Sequence, residues 1–257
     1  MNWFNEDDAK FESSQFTGVH KCIIREAEHS VNDRGSEIIT LKVELEGRTD
    51  KEGNPKLIQL DPIYLTDGKT KSPSANKITA LFCLLKANPN KLKKFKVERY
   101  NFDTKMREPQ VVEMYEELLN KKVALFIQLR RIYRVKKVDP QTGYSVNVNE
   151  KGIWIPDYSK DKRLSFFFIR AFDYNTLQTY SELISEKPAR IYLELSTKYS
   201  DYDEPRMMTP ELLEYIEKRA VKMGLPYNLE VFTEYLNDYK EIEDIPELDT
   251  DNERVPF

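Results

Sequence analysis

The stretch from Leu125 to Lys136 restricts what this chain can fold into more than any other. It reads Leu-Phe-Ile-Gln-Leu-Arg-Arg-Ile-Tyr-Arg-Val-Lys. β-Branched and aromatic residues interleaved with cations favour an extended strand, whose side chains alternate between two faces. One face carries Leu125, Ile127, Leu129, Arg131, Tyr133 and Val135, and is expected to line a core. The other carries Phe126, Gln128, Arg130, Ile132, Arg134 and Lys136, an aromatic ring and three cations together. A plain edge strand guarded by charge would have the same composition. A surface that tracks phosphates and stacks bases needs these two ingredients, and that reading is preferred.

The rest of the chain supplies a sheet for this strand. Residues 16–28 read as a strand, 32–35 as a turn, and 36–46 as a half-buried strand with strict alternation. A loop over 50–55 precedes a strand at 56–65. Polar residues 66–74 form a turn region, which includes a Gly-Lys-Thr without the upstream glycine of a phosphate loop. Ile78, Leu81, Phe82 and Leu85 predict a helix over 75–87. A second helix is predicted at 111–120, a long strand at 121–138 and a hairpin arm at 139–163. A last strand follows at 164–172, where Phe166, Phe167 and Phe168 must divide between two faces. Helices are predicted near 176–185, 210–223 and 229–239, and an extra strand at 189–195. The expected fold is mainly β with α additions, a five-stranded OB-like Greek-key barrel with an inserted helix. Another mixed α/β domain with the same element order stays open. The expected division is an OB-like nucleic-acid-binding domain at 1–175, a helical extension at 176–239 and a disordered tail at 240–257.

Charge is distributed unevenly. The chain carries a formal net charge of −4. Residues 86–137 hold fifteen bases against six acids, and residues 238–257 hold eight acids against two bases. A basic middle joined to an acidic end points to a polyanionic partner. Two further cation–aromatic patches adjoin the long strand. Lys93, Lys94 and Lys96 lead through Phe95 to Arg99, Tyr100 and Phe102. Tyr144, Trp154 and Tyr158 lie on the arm, although Trp154 between Ile153 and Ile155 is equally placed to be a hydrophobic plug.

Other function classes find less support. Only His20 and His29 are present, with two separated cysteines, Cys22 and Cys83, in apolar runs. No metal site and no cofactor are expected. A nuclease using a carboxylate-held metal is the enzyme alternative, with Glu44, Glu46 and Asp61 as its best candidates. An OB-type module for protein or RNA is the third reading. No membrane-spanning segment or signal peptide is evident, Cys22 and Cys83 read as reduced cytoplasmic core residues, and a non-enzymatic protein is expected.

The terminus narrows the class. From Lys240 the sequence is highly charged, contains Pro246 and Pro256, and ends Val255-Pro256-Phe257. This tail closing on Pro256 and Phe257 resembles the C-terminal tip of single-stranded DNA-binding proteins. The whole layout resembles phage-type members with an OB fold and an acidic tail. The resemblance implies sequence-independent coating of single-stranded DNA in replication and recombination. It also implies that Pro256 and Phe257 anchor replication or recombination partners, while Asp244, Glu247, Asp249 and Asp251 compete with DNA for the groove. Arg254 interrupts the acidic run, and the glycine-rich linker and Cys/His zinc cluster of some members are absent.

Overall fold

A computed structural model describes residues 16–67, 70–101, 104–206 and 209–233. The tail assigned above lies outside them, as do Phe102 and the Gly68-Lys69 pair. The chain forms two compact units, one running to Arg130 and including Leu164–Tyr202, the other Arg131–Arg163 with the chain from Asp203 on. The molecule is mainly β, 43% strand against 22% helix.

The first unit is built on a meander of β1 (Gly18–Val31), β2 (Glu37–Thr49) and β3 (Pro55–Gln59). Two short hairpin pieces extend it, β4 (Ile63–Tyr64) beside β2, and β5 (Thr66–Asp67) paired with β6 (Thr70–Lys71). Alternation sets the register. Ile39, Leu41, Val43 and Leu45 of β2 are buried on one face, opposite Ile24 and Ala27 of β1. Helix α1 (Ala75–Leu85) closes this core with Ile78, Leu81 and Phe82, residues that share one helical face. It ends at Lys86, which adopts the left-handed conformation.

Two strands follow, and the second runs into the helix predicted at 111–120. β7 (Leu92–Asn101) and β8 (Met106–Tyr115) form a ten-pair antiparallel hairpin, and helical geometry survives only as a 3₁₀ turn at Glu116–Leu118. The β-branched pair Val111–Val112 suits a strand, and the tertiary ladder decides the outcome. β9 (Lys122–Ile132) then pairs with β1, and β12 (Arg163–Phe172) pairs with β9. The sheet runs β12-β9-β1-β2-β3 and is open and antiparallel, with β8 and β7 branching from β1. The ends of this path approach at one backbone bond, from the Asp61 N–H to the Phe166 carbonyl at 2.9 Å. The Ser165 hydroxyl donates to the Asp61 carboxylate beside it.

The opposite face of β9 is covered as well. α2 (Tyr180–Ile184) begins in a capping box between Thr179 and Glu182. α3 (Ile191–Lys198) replaces the strand predicted at 189–195. Its Ile191 and Leu195, with Tyr199 just beyond it, are spaced four residues apart and pack toward Ala124, Phe126, Ile169 and Phe172. An apolar run this short does not distinguish the two conformations by periodicity.

In the second unit the predicted long strand is interrupted. Tyr133 gives its N–H to the Glu204 carboxylate at 2.8 Å, and β10 (Arg134–Val138) restarts beyond it. β10 pairs with β11 (Ile153–Asp157) as the arm. Val138, Ile153 and Ile155 on its inner face share a small core with Leu212 and Ile216 of α4 (Thr209–Met223) and with Phe232, in a helical turn at 229–233. This core corrects the expected boundary: the arm belongs with the helices after 203, whereas 176–202 belongs with the sheet.

Candidate nucleic-acid interface

The predicted binding face of the long strand is divided between the two units. Phe126 is fully buried between β1, β12 and α3, so its ring is unavailable to a base. Gln128 is also buried, and its amide donates to the Ser200 carbonyl at 3.1 Å. Both corrections have one cause: strand alternation defines two faces, and here each face is covered by a core.

Arg130 behaves differently. Its Nε donates to the Gln128 Oε1 at 3.0 Å. Its guanidinium carbon lies 3.8 Å from the centroid of the Phe167 ring and 5.7 Å from that of Tyr202. Phe167 faces away from the main core, which takes Phe166 and Phe168. Lys77, from the first turn of α1, places its ammonium 4.9 Å from the same Phe167 centroid and 3.4 Å from the Phe168 carbonyl. Burial, followed by repulsion from Arg130 and Arg170, pulls the Lys77 pKa below the ordinary lysine value. Among the described residues no carboxylate forms an ion pair with Lys77, Arg130 or Arg170. Sequence reasoning missed Lys77, Phe167, Arg170 and Tyr202. The run of three phenylalanines was the signal, but tertiary packing sets its division between faces.

The β7–β8 hairpin also separates its predicted residues. Lys94, Lys96 and the half-exposed Tyr100 lie on its outer face, with Arg107 opposite Tyr100. Lys93 and Arg99 are on the other face and have acidic partners. Lys93 meets Glu116 at 2.7 Å. Arg99 bridges Glu26 at 2.6 Å and Glu28 at 2.8 Å. Burial opposes ionisation of Glu26, but hydrogen bonds from Lys42 and Arg99 more than offset it and lower its pKa. Arg99 is therefore corrected from a phosphate contact to an internal counterion, whereas Lys93 stays exposed within a surface ion pair.

On the arm, the strand pair turns Trp154 outward. Its indole is 44% exposed while Ile153 and Ile155 on either side are buried. The Lys137 ammonium lies 6.0 Å from the indole centroid and is held by the carbonyls of Val148 and Glu150. Tyr144, at the tip, is 77% exposed. Tyr158 is less available: it packs edge-on to Tyr133 at 4.7 Å and carries Arg206 over its ring at 5.0 Å. Arg134 is exposed, and Lys136 approaches the Asp157 carboxylate at 3.8 Å.

The carboxylates considered for a nuclease are dispersed in other roles. Glu44 pairs with Arg25 at 2.8 Å, Glu46 with Lys122 at 3.1 Å, and Asp61 accepts from Ser165. Among the described residues no group of three His, Cys, Asp or Glu side chains is placed to hold a metal ion. No helix among them is long and apolar enough to cross a membrane. A cavity of about 390 Å³ opens between α1 and β4–β6, lined chiefly by Leu65, Ile78, Phe82, Cys83 and Tyr115. In comparisons with known proteins, the chain matches no family model and no curated sequence.

Proposed function

We propose that this chain is a non-catalytic, sequence-independent single-stranded DNA-binding protein built on an OB-like fold. The observation that carries this reading is the outward indole of Trp154, with Lys137 beside it and Tyr144 exposed at the tip of the same arm. Large rings turned to solvent on a cation-bearing hairpin suit bases, because every base has a stacking face. The strand order β12-β9-β1-β2-β3 adds support, as does the Asp61–Phe166 bond where its ends approach. A three-strand meander followed by two returning strands is the order of an OB barrel, with the arm in the connection between its last two strands.

The tail has the complementary charge. In this reading residues 240–257 compete with DNA for the cationic surface. Once displaced, they offer Pro256 and Phe257 to replication or recombination partners, with Asp244, Glu247, Asp249 and Asp251 as the competing acids. The deciding experiment is a fluorescence titration of the full chain with single-stranded DNA, double-stranded DNA and RNA oligomers at two salt concentrations. Single-stranded DNA should bind most tightly, regardless of sequence, and weaken steeply with salt. Absence of binding to an oligomer of about 30 nucleotides at low salt, a length spanning several OB-type sites, excludes the proposal. Equal binding to RNA moves the assignment to the RNA or protein module.

A further inference from the structure

The surroundings of Arg130 are more specific than a general basic surface requires. Lys77 and Arg130 both lie over the Phe167 ring, Arg170 adds a third positive charge felt at Lys77, and among the described residues no acid pairs with any of them. Gathering like charges beside a partly buried ring is unfavourable, and the Lys77 pKa is lowered first by burial and then by repulsion from Arg130 and Arg170. The arrangement is also preorganised. The Ser200 carbonyl fixes the Gln128 amide, which presents Oε1 to the Arg130 Nε. The guanidinium carbon lies over the Phe167 ring, 3.8 Å from its centroid. The brace from Gln128 uses Nε, leaving the two terminal nitrogens of Arg130 as a fork.

We propose that Lys77, Arg130 and Arg170 form a seat for a single phosphate group, with Gln128 and Phe167 acting as positioning residues for Arg130. A guanidinium fork matches two phosphate oxygens, and an ammonium adds a point charge. Because the fork is already held, binding sacrifices little of the side-chain freedom an unbraced arginine would lose. The phosphate has two chemical sources, the phosphodiester of a nucleic-acid strand or a free phosphate ion. The inference rests on the proposed DNA-binding function only in favouring the first.

Two measurements on the full chain test it. One is fluorescence anisotropy of a labelled thymidine oligonucleotide at two salt concentrations. The other is the NMR signal of the Arg130 Nε–H during addition of inorganic phosphate. Wild-type protein should show a saturable shift of that signal. Arg130→Gln and Arg170→Gln should each weaken oligonucleotide binding roughly tenfold and reduce the salt slope by about one. Arg130→Lys should recover only part of the loss, since it restores charge without the fork. Arg170 is exposed, so its variant keeps the test valid if substitution at Arg130 disturbs folding.

The outcomes separate the two ideas. A phosphate-dependent shift without oligonucleotide binding supports the seat and overturns the DNA-binding function. Wild-type affinity and salt slope in a folded R130Q/R170Q double variant overturn the seat and leave that function intact. Weakened oligonucleotide binding in the variants with no phosphate response in wild type also overturns the seat, in favour of diffuse charge. Loss of both signals in the wild type overturns both.

Discussion

Gln128 Oε1 accepts a hydrogen bond from Arg130 Nε at 3.0 Å, two residues along the same strand face. Gln128 is buried and Arg130 reaches the surface, so the pair connects the core behind β9 with the cation cluster in front of Phe167. Gln128→Leu keeps the charge of Arg130 but removes its brace and leaves the Ser200 carbonyl without this donor. The expected stability loss is about 1–3 kcal/mol, with severalfold weaker oligonucleotide binding. Gln128→Glu should weaken binding further, because its carboxylate would occupy Arg130. Thermal melts and anisotropy on both variants check the order.

Trp154 carries the second expectation. Its side chain is half in solvent and the arm's core lies on the other face, so Trp154→Ala should leave the melting temperature nearly unchanged. Oligonucleotide binding should weaken by about 1–3 kcal/mol, the usual contribution of one stacked base. Trp154→Phe should retain most of the affinity. Quenching of Trp154 fluorescence on DNA addition is an independent readout, and a silent indole would place the contact elsewhere.

Phe126 should behave in the opposite way. It is fully buried, so Phe126→Ala leaves a cavity and should cost about 3–5 kcal/mol of stability. Measured below its melting temperature, the variant should bind oligonucleotide as wild type does. A selective binding defect in a stably folded Phe126 variant would restore the stacking role that its burial removes.

His20 predicts an acid-sensitive fold. Burial lowers its pKa from the ordinary 6.5 to about 4, with the Phe16 carbonyl opposing the shift and Arg48 adding to it. Its ring stacks on Phe16 at 4.5 Å, and its Nε2 lies 2.8 Å from the Phe16 carbonyl. Between these two pKa values the unfolded chain binds the proton and the folded chain does not. This contribution is therefore complete above about pH 6.5, the ordinary histidine value. It declines as pH falls toward 4, at a slope approaching about 1.4 kcal/mol per unit. His20→Gln should flatten that limb in urea titrations from pH 7 to pH 4.

Removal of residues 240–257 tests the tail. The truncated protein should bind oligonucleotide more tightly than the full chain at low salt, and the two should converge as salt screens the acids. A peptide of the tail sequence, added in trans, should compete with DNA, and a scrambled peptide of equal charge should compete equally. Weaker binding after truncation would mean that the tail assists the DNA contact.

Much of the sheet was legible because its signal is local. The alternation of Ile39, Leu41, Val43 and Leu45 fixes β2, and the spacing of Ile78, Leu81 and Phe82 fixes α1. The candidate site was less legible because its determinants are distant in sequence. Phe126 and Arg130 share one predicted face, yet α3 residues some seventy positions later cover the first and leave the second open. Arg99 reads as a free cation beside Lys96, but Glu26 and Glu28 reach it from β1. Val111 and Val112 sit among residues of mixed preference, and only pairing with β7 makes them strand. Trp154 was ambiguous for a different reason: its neighbours Ile153 and Ile155 are both apolar, so alternation could have turned either set inward.

The three consecutive phenylalanines of β12 give the strand little tolerance for a change of length. Phe166 and Phe168 serve one core, while Phe167 supports Arg130 on the other side. Inserting or deleting one residue ahead of Phe166 would still leave an aromatic at two of these positions, and the sheet would keep much of its hydrophobic content. Because a neighbouring phenylalanine moves into the Phe167 position in either case, a ring would stay beneath Arg130, while the main core would lose one of its two rings. Length variation here should therefore be tolerated by binding better than by folding, and pairs of compensating insertions and deletions across β12 would reveal the difference.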